Sequence, residues 1–144
     1  MYNLVNHYSN GEKLYEKVVS EVYKKYNLTY MEFNIIIFLY NNPEYDTATE
    51  IIKYRHLAKS HVSTSIKSCS DKKLLTTNFK NDDKKTIHLK LTDEGLKIAK
   101  EGYKFQQKFM EMITKNFSDD EKKLLKNFVE RVDENVNKYL VDRK

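Results

Sequence analysis

Lys59, Ser60, His61, Ser63, Thr64 and Lys67 place short hydroxyls, one imidazole and two ammonium groups within nine residues. Groups of this kind exchange hydrogen bonds with base edges and phosphate oxygens at short range, which is the chemistry a duplex DNA contact needs. A second set, Lys80, Lys84 and Lys85, flanks Asn81-Asp82-Asp83. These three lysines can reach backbone phosphate or an adjacent minor groove. The net charge of the chain is +5, and residues 58–91 alone carry eight Lys against three Asp. Residues 1–57 are net −1 and residues 92–144 net +1. A basic block inside an otherwise balanced chain is an electrostatic footprint for a polyanion, and its plain alternative is a solvated lysine-rich surface.

Other chemistries find little support. No nucleophile is spaced with a base, and no carboxylate pair sits among apolar residues. Asp82-Asp83 and Asp119-Asp120 lie in polar stretches. We therefore expect no enzyme and no cofactor. His7, His56, His61 and His88 are scattered, and His56 and His61 share no helical face, so metal-ligand spacing is missing. The single cysteine, Cys69, falls on one apolar face with Val62 and Ile66 and reads as core rather than as a redox sensor. Three glycines and one proline leave no glycine-rich phosphate loop. The apolar run Phe33–Tyr40 is far too short to span a membrane. With no signal-peptide pattern at the N-terminus and no partner for Cys69, the expected location is the cytoplasm. Tyr8, Tyr15, Tyr30 and Phe33 are candidates to line a pocket for a small ligand, although aromatics at helical spacing more often belong to a core.

The elements that position these groups follow from periodicity. Leu14, Val18, Val19, Val22 and Tyr26 mark an amphipathic helix over 8–26. Thr29-x-x-Glu32 is a capping box that opens a mostly apolar helix to about Tyr40, ended by Asn41-Asn42-Pro43. Thr47-x-x-Glu50 opens a short helix to about Tyr54, and a further helix covers 59–71. The period then changes from 3.6 to 2. Leu75, Thr77 and Phe79, and then Ile87, Leu89 and Leu91, read as two antiparallel strands joined by the polar loop 80–85. Thr92 caps a helix to about Lys115, and Ser118-x-x-Glu121 opens a last one striped by Leu125, Phe128, Val132, Val136 and Tyr139. That stripe is either intramolecular core or a dimer seam, and the seam is the better reading because a terminal helix of a small domain has little else to cover it. The length, 144 residues, suits one domain over 1–144.

Helix, short turn, helix with a polar outer face, then a basic hairpin is the order of a winged helix-turn-helix. The fold class expected is mainly α, a three-helix core plus a β-hairpin wing over 28–91, with N- and C-terminal helices, 1–26 and 92–144, as dimerisation elements. The residues resemble the MarR family of bacterial transcription regulators. The likeness rests on Leu28-Thr29, on Val62-Ser63 with Ile66, on Asp83-Lys84-Lys85, and on Leu91-Thr92-Asp93-Glu94-Gly95. Lys85 stands where the family's wing has Arg, Lys73 where it usually has Gly, and Cys69 where it usually has Leu. Arg is a planar fork and Lys a point charge, so this wing is expected to grip phosphate more than it reads a groove. The resemblance implies a homodimer on a pseudo-palindromic operator of double-stranded DNA. It further implies a repressor released by a small aromatic or anionic effector, with Asp83 joining the α-helical and wing residues in the DNA contact. A protein-interaction module that meets an acidic partner is the rival from another class.

Overall fold

The computed structural model describes residues 4–141, with side chains placed from Tyr8 to Leu140. The outermost residues of the two expected dimerisation segments, 1–3 and 142–144, and the side chain of His7 lie outside what is described. In chain order the elements are α1 (Leu4–Lys25), α2 (Tyr30–Asn41), α3 (Ala48–Arg55), α4 (Lys59–Asp71), β1 (Leu75–Asn78), β2 (His88–Leu91), α5 (Asp93–Ile113) and α6 (Asp119–Val141). This is the order expected from periodicity. The chain divides into two compact units, Met1–Phe109 and Met110–Lys144.

The first unit is built around α2. Its residues from Glu32 to Leu39 are all buried, as its nearly all-round apolar sequence requires. Val19 and Val22 of α1, Ile51 of α3, Val62 and Cys69 of α4, Leu75 and Leu89 of the hairpin, and Ile98 and Ala99 of α5 complete one core with it. The capping boxes at Thr29 and Thr47 both form, each hydroxyl accepting the third amide and each glutamate accepting the cap's own amide. Gly102 lets α5 lie against α2, since an added Cβ would sit 2.7 Å from the Phe33 ring.

The two strands pair antiparallel, with Leu75 opposite Leu91 and Thr77 opposite Leu89. Both are one residue shorter at the loop end than the alternation predicts. Phe79 and Ile87, expected to continue the apolar face, are 53% and 46% exposed. The reason is that the core ends at Leu89, and past it the hairpin leaves the body of the unit with nothing to cover its inner face. Near the loop, β2 gains a third edge on its other side: the Leu89 amide donates to the Asp46 carbonyl at 2.7 Å, and Thr47 bridges His88.

With so few glycines, the helix ends use other residues in the left-handed region. Asn27, His56 and Lys73 have φ of 54°, 50° and 59°. At Lys73 the Leu74 amide reaches back to the Cys69 carbonyl at 2.9 Å and the Lys73 amide to Ser70 at 2.9 Å, the paired bonds of a Schellman ending. The position usually held by Gly in the resembling family is thus a left-handed one, here occupied by Lys. Gly95 has a different cause. A Cβ there would lie 1.9 Å from the Leu74 carbonyl oxygen.

In the second unit, Asn116 turns the chain with φ 68° and the Ser118–Glu121 capping box opens α6. Leu124, Phe128, Val129, Val132, Val136 and Leu140 are all exposed along it.

Candidate nucleic-acid interface

α4 is set into the first unit by one face. Val62, Ile66 and Cys69 are buried, while Lys59, Ser60, His61, Ser63, Thr64 and Lys67 are all exposed. All six predicted helix contacts therefore share an accessible surface. Ala58 precedes them and offers no side-chain cap, so the first-turn amides lack a side-chain acceptor. Orphan amides at a helix start suit an anion such as phosphate.

The inner side of α4 is anchored by Glu32, whose side chain is only 4% exposed. The Ser68 hydroxyl and the Lys72 ammonium donate to its carboxylate, Lys72 at 2.9 Å, and the Thr29 amide does so at 2.8 Å. Burial works to raise this carboxyl's pKa, but the bonds from Ser68, Thr29 and Lys72 outweigh it and hold the pKa below the ordinary value. Lys72 also donates to the Asn27 carbonyl at 3.0 Å, so the α1–α2 turn, α2 and the C-terminal cap of α4 meet at one polar point. Sequence reasoning read Glu32 as a capping residue only. Its second role needs Ser68 and Lys72, which are far away in the chain. The Cys69 thiol lies on the buried face and burial pushes its pKa up to about 12, which keeps it a protonated core group.

Asp83, Lys84 and Lys85 are exposed at the hairpin loop. Asp83 is occupied within that loop: its carboxylate accepts the amides of Lys85 at 2.8 Å and Thr86 at 3.2 Å. Bonds from Thr86 and from the Lys85 amide hold its carboxyl below the usual range. Asp83 thus shapes the turn and pairs with backbone rather than with the Lys85 ammonium. Lys80, expected to reach phosphate with its neighbours, instead donates to Asp46 at 2.6 Å. The other Asp46 oxygen lies 2.7 Å from His88 Nδ1. Burial acts to raise the Asp46 carboxyl, and the bonds from Lys80 and His88 bring it below its ordinary value.

The four aromatic candidates differ in their surroundings. Phe33 is closed in the core against Tyr23. Tyr30 also meets Tyr23, and Tyr15 packs edge-on to Phe109 while its hydroxyl accepts from Gln106 at 2.7 Å. Tyr8 is exposed. An open groove along α5, lined by Leu96, Lys97, Lys100, Glu101, Lys104 and Phe105 with Asp93 at one end, includes none of them. Among the described residues no three His, Cys, Asp or Glu side chains gather to hold a metal. No helix among them is long and apolar enough to cross a membrane.

Residues 26–85, which span α2, the helix-turn-helix and the wing loop, match the family model described as MarR family. Over those residues the chain is similar to the MarR family. Its fold is that of the winged helix-turn-helix proteins it superposes on. The HTH-type transcriptional regulator YwaE of Bacillus subtilis is 25% identical over 133 residues, covering 92% of this chain and 77% of that protein. The crystal structure of a MarR family transcriptional regulator from Listeria monocytogenes complexed with 26mer DNA superposes with a TM-score of 0.85 at 15% identity, over 94% of this chain and 90% of that one. The MarR protein of Peptoclostridium difficile gives 0.85 at 18% identity, over 99% and 93%.

Proposed function

We propose that this chain is a MarR-type transcription regulator that binds double-stranded DNA as a homodimer through α4 and the wing, reads a pseudo-palindromic operator, and represses until a small aromatic or anionic effector releases it. It acts in the cytoplasm and uses no catalytic step, metal or cofactor. The observation that carries the reading is the two-sided character of α4. Its inner face is bolted to α2 through Glu32, and its outer face presents Lys59, Ser60, His61, Ser63, Thr64 and Lys67 without any intramolecular partner among the described residues. A helix held rigidly below and polar above suits insertion into a major groove. The similar Listeria protein was crystallised with DNA, which supports the same partner here.

Asp83 supports the wing by fixing its turn, and Lys84 and Lys85 supply its charge. The effector reading rests on α1 and α2. Of the four aromatics named for it, the half-buried Tyr15 and Tyr30 carry it best, since Tyr8 is largely in solvent and Phe33 is enclosed. Selection of bound sequences from a random duplex library tests the proposal. Recovery of an inverted repeat is the expected result. Recovery of no preferred sequence, with binding indifferent to salt, refutes it, because phosphate contacts must lower log affinity by about 0.9 per contact as log salt rises.

A further inference from the structure

The Asp46 carboxylate sits at the joint between the helix-turn-helix and the wing. It immediately precedes Thr47, the cap of α3, and its own carbonyl accepts the Leu89 amide of β2 at 2.7 Å. Its side chain, 26% exposed, reaches both arms of the hairpin: His88 on β2 at 2.7 Å and Lys80 beyond β1 at 2.6 Å. Lys80 itself is 57% exposed and belongs by sequence to the same basic loop as Lys84 and Lys85. Those two have no carboxylate partner among the described residues, because the Asp83 carboxylate is taken up by loop amides.

From this geometry we infer that Asp46 is a positioning residue that withholds Lys80 from DNA and fixes the wing through its two arms, so that the wing offers two free cations rather than three. The inference rests on the DNA reading above. Three features argue that Lys80 stays where it is. The carboxylate cannot follow Lys80 outward, because its backbone is bonded into the sheet edge and its second oxygen is against His88. If Lys80 left for a phosphate, a largely covered anion would keep only one partner, which costs more than breaking an exposed pair. The hairpin arms would also lose the tie that spans them. The consequence is specificity. Each free cation on a wing adds affinity for any duplex, so holding one back lowers non-specific binding without touching the groove contacts of α4.

The test uses the full chain and a mixed-sequence duplex of about three turns, roughly 30 base pairs. Binding isotherms at several salt concentrations are compared for wild type, K80A, K84A, D46N and D46N/K80A. K84A should reduce the salt slope by about one and K80A should leave it unchanged. D46N should raise the slope by about one, equivalent to a gain of about 3- to 4-fold in affinity at 50 mM relative to 200 mM salt, and D46N/K80A should return to the wild-type slope. A slope lowered equally by K80A and K84A, or unchanged by D46N, overturns the inference while leaving the DNA reading intact. A wild-type chain whose affinity ignores salt overturns that reading and this one with it. Should D46N melt before it can be assayed, competitive acetylation of wild-type lysines read by mass spectrometry decides. Lys80 reacting several-fold more slowly than Lys84 supports the pairing, and equal rates refute it.

Discussion

A carboxylate with almost no accessible surface stays ionised only where donors replace its water, and Glu32 is supplied by the Thr29 amide, the Ser68 hydroxyl and the Lys72 ammonium. Replacing it with Ala should remove half a capping box and the bolt under α4 together, at a cost of about 2–3 kcal/mol, read from urea unfolding. The pH dependence has a definite sign. The folded carboxyl titrates below its ordinary value, so its contribution is complete above the unfolded value and is lost as pH falls through the folded one. E32Q should therefore flatten the acid limb of the stability profile below about pH 4.5. Lys73 makes the opposite prediction. A left-handed φ of 59° costs an L-residue about 1–2 kcal/mol, and glycine's extra unfolded-chain entropy takes back only part of that. K73G should raise stability by about 0.5–1 kcal/mol, and a fall in urea midpoint would show that the Schellman turn is not strained. At Gly95 the neighbour of any Cβ is a backbone carbonyl, which cannot rotate away. Gly95→Ala should cost about 3 kcal/mol or more, since the α4–β1 turn or the start of α5 must move.

At the scale of elements, α4 and the wing should fail in different ways. Ser60, Ser63 and Thr64 are short, exposed and carried on a fixed helix, so each can serve only a nearby base edge or phosphate. Changing one to Ala should cost about 1–3 kcal/mol on the preferred site and blur one position of the preference. Lys84 and Lys85 carry charge on flexible stems, and K84A or K85A should weaken all duplexes about equally. Isotherms on the selected operator and on a scrambled duplex decide, and equal loss ratios for both classes would refute the division. These elements were legible in the sequence where a local rule governs them. The three capping boxes, the 59–71 helix and its buried Val62, Ile66 and Cys69 follow from spacing alone. What was not legible depends on partners distant in the chain. Lys80 looked equivalent to Lys84 until the fold brought Asp46 beside it, and Glu32 looked like a cap until Ser68 and Lys72 arrived. Phe79 and Ile87 misled for the same reason, because alternation states which face a residue is on and says nothing about whether that face is covered.

At the scale of the whole molecule, α6 sets the problem. It runs for 23 residues, is buried nowhere along its described length, and exposes Leu124, Phe128, Val132 and Val136 on one stripe. A helix of that composition draws little stability from propensity and needs its apolar stripe covered. A second copy of the chain is the cover we propose, with α1 contributing to the same two-fold interface. Sedimentation should find a dimer at micromolar concentration, and the urea midpoint should rise with protein concentration, as it must when folding and association are linked. V132D with V136D should give a monomer or an unfolded chain. The dimer in turn dictates the operator. Two α4 helices related by a two-fold axis can enter successive major grooves on one side of a duplex only if their half-sites lie about one turn, roughly 34 Å, apart. Inserting about five base pairs between the half-sites of the selected operator rotates one of them to the far side and should reduce binding to the non-specific level, whereas inserting about ten restores the face but stretches the spacing by a full turn. A rigid dimer should fail on both insertions, and recovery on the longer one would mean that the two winged helices bind as independently tethered modules.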